Sequence, residues 1–146
     1  MKQVLGKLMD SFKSIVIPTK LWQRLGRVSS STGLTRNLIL RMGFCYEIES
    51  TKGLSEDSIK VEESTHSISK DVLLGDHSNL YFDLFEVWLN RNKEIAGDVV
   101  KKEELFKSLI ISGGEHLCNK LLKDSGNKVL ENLKNLVISN EDSPHA

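Results

Sequence analysis

The chain has 146 residues, of which 39% are hydrophobic and 27% charged, with two prolines and ten glycines; this excludes a collagen-like or wholly disordered chain and suits one globular domain. The longest apolar runs, Ile15-Val16-Ile17 and Leu109-Ile110-Ile111, are too short to span a bilayer, and the polar start Met1-Lys2-Gln3 lacks the apolar stretch of a secretion signal, so no membrane contact and a cytoplasmic location are expected. The formal net charge of zero conceals an asymmetry: residues 1–44 carry eight basic groups against one acid, residues 45–100 five against twelve, and residues 101–146 seven against seven.

Ser14 to Ile17 is expected to form a short strand, because three β-branched residues favour extended backbone and Pro18 bars the helical region at Ile17. Pro18 suits a helix start, and over Thr19 to Val28 the residues Leu21, Trp22, Leu25 and Val28 recur at helical spacing. Lys20, Arg24 and Arg27 repeat on another face of that helix, giving it a core side and a basic side. Gly26 weakens the helix, whose end is expected to fray toward a Ser29-Ser30-Ser31-Thr32-Gly33 turn. Thr35 reads as the N-cap of a second helix, with Leu34 placed to staple against Ile39. Leu38, Ile39, Met42 and Cys45 or Tyr46 form its expected buried face.

Residues 49–79 show no sustained period and are rich in Ser, Asp and Glu, so a long mobile acidic insertion is expected, with only a weak strand signal at Ser58 to Val61. Asp76 or Ser78 would then cap a helix that places Leu80, Leu84, Phe85, Trp88 and Leu89 on one stripe. A third strong helix begins with Leu105, Phe106, Leu109 and Ile110, and its period resumes at Leu117, Leu121 and Leu122 beyond Gly113-Gly114. Either the helix breaks at those glycines or another backbone packs closely against them. A last amphipathic helix carries Val129, Leu130, Leu133, Leu136 and Val137, and residues 139–146 are expected to be a disordered tail. The prediction is a mainly α fold: a small helical domain over residues 1–138 with a short N-terminal strand.

The basic first third is a candidate surface for a polyanion, since Lys and Arg supply most sequence-independent affinity for nucleic acid. Lys20, Arg24 and Arg27 lie along one helical edge, and the amides at the start of the next helix, with Arg36, could accept a phosphate there. Ser30, Ser31 and Thr32 could donate further hydrogen bonds; Gly33 and Thr35 shape the turn, and Lys13 and Arg41 complete the basic candidates. Catalytic chemistry finds little footing. His66, His77, His116 and His145 are scattered, Cys45 and Cys118 stand alone without CxxC spacing, and no P-loop or GxSxG elbow is present. Neither a metal nor another cofactor is expected, and no enzyme activity.

Leu21 and Leu25, then Ser31-Thr32-Gly33-Leu34-Thr35, Asn37-Leu38 and Arg41-Met42-Gly43-Phe44 form one block; Tyr81 to Leu89 followed by Leu105 to Leu117, with a late glycine, form another. In order and spacing these blocks resemble the DndE family, small DNA-binding subunits of the bacterial DNA sulfur-modification (phosphorothioation) machinery. The sequence departs from that pattern at Arg36, where a proline is common, and at Ser112-Gly113, where a polar or basic pair is common. The resemblance implies a homo-oligomer, a tetramer by analogy, that binds double-stranded DNA, nicked duplex among the candidate targets, beside other DNA sulfur-modification proteins. The main rival is a ribbon-helix-helix repressor or antitoxin, which shares the order strand, helix, turn, helix. In that fold a two-stranded ribbon reads bases in the major groove, and neither Lys13, Ile15, Ile17 nor Phe12, Ser14, Val16 makes a good set of base readers.

Overall fold

A computed structural model describes residues 8, 11–49, 66–92, 99–122 and 129–142. Strand β1 (Ser14–Ile17) leads into helix α1 (Thr19–Thr32), then α2 (Arg36–Glu49), β2 (His66–Ser69), the single turn α3 (Lys70–Leu74), a 3₁₀ turn at Gly75–His77, α4 (Ser78–Arg91), α5 (Val99–Leu121) and α6 (Val129–Asp142). The fold is mainly helical, with one two-stranded antiparallel sheet that pairs Ser14 with Ser69 and Ile17 with His66. Ile15 and Ile17 point into the core while Val16 is exposed, the alternation expected of a half-buried strand.

All five phenylalanines of the chain gather in the core. Phe106 on α5 is the hub, with the rings of Phe12, Phe44, Phe82 and Phe85 centred 5.4, 5.2, 5.0 and 5.1 Å from its own. Edge-to-face, tilted and stacked contacts join α2, α4, α5 and the segment before β1 into one apolar unit.

α5 runs unbroken through Gly113-Gly114, so of the two expected outcomes the close approach is the one realised. A Cβ on Gly113 would lie 2.1 Å from the Gly43 carbonyl oxygen, and one on Gly43 would lie 2.7 Å from the Gly113 backbone. The two helices cross there backbone to backbone, which only glycine allows. That contact also turns α2 from its expected orientation. Ile39, Leu40, Gly43, Phe44 and Glu47 are buried, whereas Leu38 is exposed and Met42, Cys45 and Tyr46 are half-buried.

Other boundaries differ from expectation for local reasons. α1 continues through Ser29–Thr32, because the Thr32 hydroxyl donates to the Val28 carbonyl (2.8 Å) and Gly33, at φ 78°, ends the helix with its N–H on Ser29 O. Residues 66–79 carry β2, α3 and the 3₁₀ turn rather than an irregular insertion; residues 50–65, with the strand signal at Ser58 to Val61, lie outside the described residues. Ser69, not Asp76 or Ser78, supplies a cap, accepting the Val72 N–H for α3, while α4 starts after His77 without a side-chain cap. On α4 the buried side is Phe82, Phe85, Trp88 and Leu89, with Leu80 exposed. α6 reaches Asp142, four residues into the expected tail.

Candidate nucleic-acid interface

α1 is built with two opposed sides. Leu21, Leu25 and Val28 are buried against the core, and Lys20, Gln23, Arg27, Ser30 and Ser31 are exposed, with Arg24 half-buried at the margin. Among the described residues, no acid forms an ion pair with Lys20, Arg24 or Arg27. Arg24 lies near the buried Cys118, whose thiol is pushed up to about 11 by desolvation, with the positive charge of Arg24 opposing that shift and Glu115 adding to it.

A groove of about 540 Å³ opens beside this edge, lined by Gln23, Gly26, Arg27, Ser30, Ser31 and Arg36, with Leu122 and Val129. Arg36 enters it by folding back from the start of α2 onto α1. Its Nε–H donates to the Trp22 carbonyl (3.2 Å), and its guanidinium carbon sits 4.4 Å from the Trp22 ring centroid. The bare backbone of Gly26 makes room for it: a Cβ there would come within 2.3 Å of the guanidinium. Gly26, which weakens α1 by propensity alone, is thus the cradle of an arginine. His66 stacks on the same Trp22 ring at 4.5 Å and 7°. These contacts hold the arginine fork in one orientation, and a fork so held would lose less entropy on meeting an anion.

The remaining residues singled out in the sequence fall into two sets. Thr32, Gly33 and Thr35 hold the α1–α2 turn. The Thr32 hydroxyl accepts the Leu34 N–H (3.2 Å) as well as donating to Val28, and Thr35 Oγ1 accepts the Leu38 N–H (3.2 Å), as an N-cap should. Their polar atoms serve the turn, and so they place Ser31 and Arg36 rather than extend the groove. Lys13 and Arg41 lie outside it. Lys13 is exposed just before β1, where its carbonyl accepts the Lys70 N–H (2.8 Å). Arg41 donates to the Leu73 carbonyl and to that of Val72 (3.4 Å), and its guanidinium rests against Gly75, so it closes the end of α3. The groove brings together Arg27, Ser31 and Arg36, with Lys20 and Arg24 along the same helix; Gln23 joins them, a residue whose i, i+4, i+7 spacing with Arg27 and Ser30 could have marked it.

A second polar constellation, not foreseen from sequence, lies in the α2–α5 seam. The buried Glu47 accepts the Ser112 hydroxyl at Oε1 (3.0 Å) and meets His116 Nδ1 at Oε2 (2.6 Å), while His116 itself is exposed. The carboxylate is satisfied from both sides and ties the helices within about a turn of their glycine crossing. Glu47→Ala leaves the buried Ser112 hydroxyl without its acceptor and is expected to cost about 2 kcal/mol by urea denaturation. Glu47→Gln, which keeps an acceptor oxygen, is expected to cost less.

Among the described residues, no three His, Cys, Asp or Glu side chains gather as a metal site, and no helix is long and apolar enough to cross a membrane. Comparison with curated proteins and with solved structures gave no match. The family model described as DNA sulphur modification protein DndE matches residues 15–123 of the 146-residue chain, which takes in β1 from Ile15 on, the basic helix, the groove's Arg36 and Leu122, and the glycine crossing; the chain belongs to the DndE family and to DNA sulfur modification.

Proposed function

We propose that this protein is a non-catalytic subunit of a bacterial DNA sulfur-modification system, and that it grips the sugar–phosphate backbone of duplex DNA, nicks included, through α1 and the adjoining groove. The observation that carries this reading is the exposed cationic edge of α1 lying beside an arginine already locked in place. Lys20, Arg24 and Arg27 neutralise successive phosphates, and Arg36, with its remaining N–H groups, offers a fork to one of them. Ser30, Ser31 and Gln23 add hydroxyl and amide donors. Contacts of this kind go to phosphate oxygens, which fix position rather than sequence.

As a homo-oligomer the protein would present several such edges at once, multiplying their effect on a long polyanion. Leu38, Met42, Leu133, Leu136 and Val137 form the aliphatic part of a cavity of about 310 Å³ that Arg41 and Glu49 also line, with Leu38 and Val137 exposed, a surface of the kind that subunits cover. The repressor reading weakens for a specific reason. β1 pairs with β2 of the same chain and sends Ile15 and Ile17 into the core, so it is spent on the fold rather than on a ribbon shared between copies.

The test is a titration of intact, nicked and single-stranded DNA of random sequence at two salt concentrations. Binding to every random duplex that weakens as salt rises is the expected result, and preference for one operator sequence would return the argument to a repressor.

A further inference from the structure

We propose that the groove beside α1 takes a DNA backbone phosphate in which sulfur has replaced a non-bridging oxygen, and holds it more tightly than an ordinary phosphate. This rests on the backbone-binding reading above and adds a chemical preference to it. Two kinds of surface line the groove. The polar one is Arg27, Ser30 and Ser31 of α1 with the guanidinium of Arg36, and the aliphatic one is Leu122, just beyond α5, with Val129, which begins α6.

An ordinary phosphate has use for the polar surface alone. Each of its non-bridging oxygens is a strong acceptor that loses favourable hydration when set against carbon. A phosphorothioate keeps the negative charge, but its sulfur is larger, more polarisable and a weaker acceptor, so contact with aliphatic carbon costs it little and releases water. The charged fork cannot swing round to rescue a misplaced oxygen, because Trp22 and the backbone of Gly26 hold Arg36 where it is. The groove is also chiral. Of the two sulfur diastereomers at one linkage, only one can direct sulfur at Leu122 while its oxygen stays with Arg27 and Arg36.

Fluorescence anisotropy with the full chain decides this, using three duplexes alike in sequence: the oxygen form and the two separated phosphorothioate diastereomers at a single central linkage. One diastereomer is expected to bind about fourfold tighter than the oxygen duplex, the gain for removing roughly one methylene's worth of apolar surface from water, and the other no tighter. Leu122→Asn, and Leu122→Ala as a second variant, are expected to erase the difference between the diastereomers; the ratio of affinities is the readout, so a general weakening does not disguise the result. Equal binding of all three duplexes by the unaltered protein overturns the sulfur preference and leaves the backbone reading standing. A preference that survives both Leu122 variants overturns the groove as its seat. Absence of binding to any duplex overturns both.

Discussion

Glutamate at positions 20, 24 and 27 together is expected to lower affinity for duplex DNA at least about a hundredfold at physiological salt, the scale of losing three phosphate contacts and adding repulsion. The fold should survive it. Lys20 and Arg27 are exposed and Arg24 half-buried, and among the described residues none of the three is in an ion pair that reversal would break. Sizing and circular dichroism of the triple variant should therefore match the unaltered protein while gel shift shows free DNA. Reversal of the exposed Lys134 on α6, which is not among the residues lining the groove, is the control and should change binding little. Undiminished retention of DNA by the triple variant would remove α1 as the contact surface.

Gly113→Ala is expected to destabilise the protein by about 3 kcal/mol or more, a fall of roughly 10 °C in Tm for a domain of this size. The expectation runs against intrinsic propensity, which favours alanine over glycine in a helix by about 1 kcal/mol. The new methyl would stand 2.1 Å from the Gly43 carbonyl oxygen, and because that obstacle is backbone, α2 and α5 must part. Gly114→Ala is the matched comparison. Its methyl would meet the end of the Leu40 side chain at 2.9 Å, a group that can move aside, so the loss should be smaller. Thermal melts of the two variants in parallel separate packing from propensity. A Gly113→Ala protein as stable as Gly114→Ala would mean that the crossing is looser than the structure has it.

What could be read in the sequence was what neighbours in the chain determine. β1, the start and core stripe of α1, the Thr35 cap and the basic edge at Lys20, Arg24 and Arg27 all depend on residues within a turn or two. The dilemma posed by Gly113-Gly114 was legible as well, though not which backbone would resolve it. What escaped depends on partners far along the chain. β2 has only Ile68 buried among four residues, so it carries no period of its own; it exists because β1, some fifty residues earlier, offers an edge. The buried face of α2 turned from Met42 to Leu40, Phe44 and Glu47 because glycines on two helices meet. In the site, Arg36 was visible as a cation, but its return to Trp22 needs the gap at Gly26 and could not be inferred from spacing. Arg41, equally visible as a cation, is committed to the carbonyls at the end of α3 instead.

The salt dependence of duplex binding, measured for the unaltered protein and for the triple glutamate variant, bears most directly on the claim that α1 meets the DNA backbone. A straight plot of log affinity against log salt is predicted, with a slope in the variant shallower by about three, one for each lost phosphate contact. Identical slopes for the two proteins, or binding indifferent to salt, would contradict it.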